Sequence, residues 1–140
     1  MQTHDYKKQI MDNAEEARRI HARVHETFRL RGQGPAKLQE WKQACACFHS
    51  RYDGLAFPGG YHGALERIAA GEPQALEAAI CFLECRPYFF RSGYMFKTIL
   101  RKVKHAALSK RQASRLQDVL ERQAEWRRIR PHKPDRAIRG

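Results

Sequence analysis

The sequence predicts an all-α fold, an irregular bundle of about six helices arranged as helical hairpins, with a small solenoid as the variant arrangement. Three observations carry this. Apolar residues recur at spacings of three and four in successive stretches, no stretch alternates with the period of two that a half-buried strand needs, and prolines and glycines cut the chain into helix-length pieces.

The first helix is expected over 4–31. Ile10, Ala14, Ala17, His21, Val24 and Phe28 share one face, a thin one because two of them are alanine and one is histidine. RGQGP ends it, and Pro35 suits the opening turn of the next helix, where a missing N–H costs nothing. There Leu38, Trp41, Cys45, Phe48 and Tyr52 form a heavier, aromatic stripe. DGLAFPGG, 53–60, reads as a loop, with Leu55 and Phe57 dipping inward. A short helix follows over 62–70, closed by Gly71, and Pro73 opens a fourth helix that Pro87 prevents from continuing past about Cys85.

That fourth helix is apolar nearly all round, with only Glu77 and Glu84 marking a polar stripe, so it belongs at the centre of the bundle. Helix five is expected to start with Ser92 as N-cap. Its wheel divides into an apolar arc (Met95, Phe96, Ile99, Leu100, Val103, Ala106, Ala107) and a polar arc (Tyr94, Lys97, Thr98, Arg101, Lys102, Lys104, His105). Helix six opens on SKRQ, a capping-box pattern of Ser109 and Gln112, and carries Leu116, Val119 and Leu120 inward. The domain reading is one helical domain over 1–127 and a flexible basic tail over 128–140. A faint echo, CF before GY at an offset of about 33 residues, is what admits the solenoid variant.

A chain of 140 residues with 42% hydrophobic and 30% charged content suits one domain with a core and a polar surface. Its longest apolar run, Ala78–Leu83, is six residues, far short of the ~20 that span a bilayer. MQTHDYKKQI lacks the apolar centre of a secretory signal. The expectation is therefore a cytoplasmic protein, without transmembrane insertion, whose Cys45, Cys47, Cys81 and Cys85 stay reduced. Nothing in the pattern specifies an oligomeric state.

The net charge of +12 is uneven: residues 1–70 contribute +3 and residues 71–140 contribute +9. Between Glu84 and Asp118 stand nine Lys/Arg and no acid. Lys97, Arg101 and Lys104 are spaced by four and three, so their heads project together, and like charges so placed cost a few tenths of a kcal/mol per pair. A phosphate backbone would repay that cost by releasing condensed counterions. The expected function is a non-catalytic binding module for a polyanion, RNA or DNA backbone without strong sequence choice. Arg91, Lys97, Arg101, Lys102, Lys104 and Arg111 are the main contacts, Arg86 and Tyr94 are secondary, and Arg115 and the tail extend the footprint. The alternative is a small adaptor or inhibitor docking on an acidic protein, with Tyr61, Phe57 or Tyr94 as anchors. An anionic membrane surface is a weaker third choice, because no strongly apolar face accompanies the basic tail.

RPYFFRSGYMFK, 86–97, concentrates five aromatics and three cations. Phe89, Phe90 and Phe96 are expected in the core, and Arg86 and Arg91 along its edge. Other chemistry finds little support. Helix-turn-helix and zinc-finger patterns, a P-loop, a nucleophile motif, paired catalytic carboxylates and cofactor fingerprints are all missing, so no enzyme activity, cofactor or metal is expected. Cys45, His49, Cys81 and Cys85 form two i,i+4 pairs that would make a zinc set only if their helices packed side by side, and Cys45 already lies on an apolar stripe. His49, Asp53 and His62 would form a proton-transfer set only if folding gathered them. His21 and His25, also i,i+4, are read as a core and a solvent histidine, and Trp126 as a cover for Arg127 and Arg128 or as core.

Overall fold

The computed structural model describes residues 3–129. It contains six helices: α1 (Thr3–Leu30), α2 (Pro35–Ala56), α3 (Ala64–Ala69), α4 (Pro73–Cys85), α5 (Ser92–Lys104) and α6 (Lys110–Ile129). No strand occurs among the described residues. α4 lies at the centre and packs against α1, α3, α5 and α6. This is a bundle: a solenoid would confine each helix to its chain neighbours.

Burial on α4 explains its position. Ala75, Leu76 and the run Ala78–Leu83 are all buried, and Phe82 and Ile80 are wholly inaccessible. Phe82 meets Phe57 at 5.9 Å and Phe89 at 6.4 Å, so one ring joins α4 to the loop after α2 and to the 86–91 corner. α5 contributes Met95, Phe96, Ile99, Leu100 and Val103, the apolar arc expected of it, and α6 adds Leu116 and Val119. α5 ends at Lys104, so Ala106 and Ala107 lie beyond the helix.

Punctuation follows local chemistry. Pro35 and Pro73 occupy first-turn positions of α2 and α4. The capping box on α6 is formed: Gln112 N–H donates to Ser109 Oγ and Ser109 N–H to Gln112 Oε1, both at 3.1 Å. Ser92 departs from expectation. Arg91 is the N-cap of α5, and Ser92 Oγ instead accepts the Phe89 N–H at 3.1 Å.

α2 runs to Ala56, four residues into the expected loop, because its last turn sinks Ala56 beside the buried Phe57. The loop proper, 57–63, is clasped from both sides. Asp53 accepts the Tyr61 N–H on its carbonyl and the His62 N–H on its carboxylate, and Arg67 donates to the carbonyls of Gly60 and His62. Gly60 is required here: its φ is +89°, and a Cβ would stand 2.8 Å from Asp53 Oδ2.

The aromatic stripe of α2 is the clearest difference in burial. Leu38 is exposed, and Trp41, Cys45, Phe48 and Tyr52 are only half-buried. α2 packs chiefly on α1, so the hairpin is covered from one side. α1 buries Tyr6, Ile10, Ala14, Ala17 and Ile20 near the body, whereas Phe28 and Leu30 are exposed beyond it. α6 continues through Arg128 and Ile129, into the stretch read as tail; the rest of that stretch lies outside the described residues.

Candidate functional site

The polar stripe of α4 decides how charge is distributed. Glu77 and Glu84 both turn toward α6 and meet Arg115. Arg115 Nη1 donates to Glu77 Oε2 at 2.7 Å, while Nε and Nη2 donate to the two oxygens of Glu84 at 3.0 and 2.6 Å. Gln112 adds a bond to Glu77 at 3.2 Å, and Lys7 of α1 stands 3.3 Å from Glu84. Burial pushes the Glu84 carboxyl up, but the Arg115 hydrogen bonds and charge, helped by Lys7, outweigh it and hold the group below the usual carboxylate range. Beside them, burial drives the Cys81 thiol up to about 11, so it is a protonated, inert core residue. Arg115 is thus consumed inside the fold and does not extend a basic footprint.

The cations of α5 are left without such partners. Lys97, Arg101, Lys102 and Lys104 are exposed, and among the described residues no carboxylate lies within ion-pairing distance of them. Arg101, Lys102 and Lys104 fall in the last turn, where a helix dipole offsets part of their mutual repulsion. Lys97, mid-helix, has no such compensation. Arg111 is exposed on the first turn of α6.

The aromatic corner has a more particular geometry. Arg86 and Arg91 bracket it, both left-handed, at φ 45° and 68°. Arg86 lies over the rings of Phe96 and Trp126, at 4.5 and 5.4 Å, so Trp126 covers Arg86. Phe89 and Phe96 are buried as expected; Phe90 is not, at 42% exposure. Phe90 closes an open cluster with His21 (4.7 Å), Phe48 (5.9 Å) and Tyr52 (6.1 Å). Tyr88 and Tyr94, at 78% and 75% exposure, stand in solvent.

Tyr88, Phe89, Phe90, Arg91 and Tyr94 of this corner line one groove of about 650 Å³ between α1 and the start of α5. Arg18, His21 and His25 form the α1 wall, and Tyr88, Arg91 and Tyr94 the other. Arg18 Nη1 donates to the Tyr88 carbonyl at 2.5 Å, and Tyr52 Oη donates to the Phe90 carbonyl at 2.5 Å. Burial, with His25 beside it, lowers the His21 pKa, so at pH 7 its ring is neutral. The helix wheel expected Tyr94 on the polar arc, and it is there. Arg18 carries no local signal: its partner is 70 residues away.

The other candidate sets do not assemble. No group of three or more potential metal ligands converges among the described residues. Cys81 is in the α4 core against Arg115, and Cys45 is half-buried on α2, which packs chiefly on α1. Asp53 is occupied in holding the loop. Phe57 is fully buried and unavailable as an anchor for a protein partner, and Tyr61 is half-buried. No helix among the described residues is long and apolar enough to cross a membrane. No family model, curated protein or solved structure matches the chain.

Proposed function

We propose that the protein is a non-catalytic binding module that grips the phosphate backbone of a nucleic acid along α5. The observation that carries this reading is the row Lys97, Arg101, Lys102 and Lys104, exposed and without carboxylate partners among the described residues, while the acids of α4 are committed to Arg115 and Lys7. From Lys97 to Lys104 the helix rises about 10 Å. One strand of a duplex carries a phosphate about every 3.4 Å of its axis, so four successive phosphates, three such steps apart from end to end, match that span. Arg91 and Arg111 flank the row, and Arg86 and Tyr94 are secondary contacts. The adaptor reading keeps the same cations but loses Phe57 as an anchor.

Affinity for a labelled oligonucleotide, followed by fluorescence anisotropy, tests this. With four phosphate contacts on a single strand, log K should fall against log salt with a slope of about −3. Raising salt from about 50 to about 200 mM then costs roughly 50-fold in affinity. Lys97→Glu/Arg101→Glu/Lys104→Glu should flatten the slope by about 2. No retention at low salt, or an unchanged slope in the triple variant, overturns the reading.

A further inference from the structure

Resting on that reading, we infer that the groove beside α5 receives unpaired bases, so that the protein prefers single-stranded nucleic acid to duplex.

The groove joins two kinds of surface. Tyr88, Phe90 and Tyr94 present rings to solvent, and Arg18 and Arg91 supply positive charge on opposite walls. Among the described residues no side chain caps the amino end of α5, whose Gly93 and Tyr94 line the same space, so the positive end of its dipole adds to the two guanidiniums. Every nucleobase has a π-face, and stacking on such rings is tolerant of sequence. In a duplex those faces are covered by neighbouring base pairs. Only a strand with free bases gains stacking on Tyr88 and Tyr94; a duplex gains chiefly from the cations.

The rings are also positioned in advance. The Tyr88 and Phe90 carbonyls are held by Arg18 and Tyr52, and the Phe89 N–H by Ser92. The backbone that carries the rings is therefore already ordered, which lowers the entropy lost on stacking. Tyr94 shares its face of α5 with Lys97 and Arg101, one and two turns further on. A strand whose base stacks on Tyr94 has its next phosphates directed along the row of cations.

The test compares a labelled oligothymidylate with a hairpin duplex of equal phosphate number, at low salt. The single strand should bind about 10-fold tighter or more. Tyr88→Ala/Tyr94→Ala should weaken single-strand binding by at least about 10-fold and duplex binding by a clearly smaller factor, so that the preference collapses; Tyr88→Phe/Tyr94→Phe, which keeps both rings, should retain the preference. Both tyrosines are exposed, and an unchanged urea midpoint in each variant verifies that the fold is intact. Equal affinity for the two probes, or parallel losses on both in the alanine variant, overturns the inference while the phosphate-backbone reading stands. Failure to bind either probe overturns both.

Discussion

Replacing Arg115 by Met keeps the aliphatic bulk between α4 and α6 but deletes the charge that Glu77 and Glu84 share. The three side chains are 14%, 19% and 14% exposed in that order, so the carboxylates cannot simply turn to bulk water. Breaking a buried pair by removing one partner costs about 3–5 kcal/mol. Lys7 at 3.3 Å and Gln112 at 3.2 Å remain as partial substitutes. The expected loss is therefore about 2–4 kcal/mol, measured by urea unfolding with far-UV circular dichroism at pH 7. The pH dependence gives a second readout. In the native protein Glu84 is held below its ordinary value, so its contribution is present above the unfolded pKa and is lost as pH falls through the folded one. Without Arg115 burial dominates, the Glu84 pKa rises, and the variant suffers most when the group is forced to ionise. The gap between the two proteins should thus narrow from pH 7 to about pH 4. A loss below about 1 kcal/mol, or a gap indifferent to acid, would refute the claim that Arg115 holds these acids.

Three further outcomes follow from the packing and backbone. Arg91→Gly relieves a left-handed residue at φ 68° and should change stability by no more than about 1 kcal/mol in either direction, while weakening oligonucleotide binding in the anisotropy assay. Gly60→Ala places a Cβ 2.8 Å from the Asp53 carboxylate at φ +89° and should cost about 1–3 kcal/mol in urea unfolding. Phe82→Ala, at a site with no accessible surface, should cost about 3–5 kcal/mol by the same measurement.

Much of the fold was legible because its signals are local. The prolines at 35 and 73, the Ser109–Gln112 reciprocal pair and the divided wheel of α5 each act within one or two turns, and each appears as read. Burial along α2 was not legible. Its stripe is as regular as that of α5, but how deeply a stripe sinks depends on what lies opposite, and only α1 lies there in force. Asp53 and Gly54 read as the start of a loop, yet Asp53 works as a clasp from inside the last turns of α2. Arg115 looked like one more surface cation; its partners on α4 lie 31 and 38 residues away, beyond any local pattern. The same limit hid Arg18, while exposed Phe90 was misread because aromatic weight alone does not separate a core ring from one left at a groove's edge.

The one-sided support of α2 has a consequence for opening motions. The half of the α1–α2 hairpin near Gly32 is held by Phe28 against Trp41 at 5.8 Å, with Arg31 laid over Phe28, and by little that belongs to the body. Segments with few buried apolar contacts unfold locally at a fraction of the global free energy. Backbone amides there should take up deuterium well before those of α4, with protection rising steadily from the hairpin tip toward Tyr52.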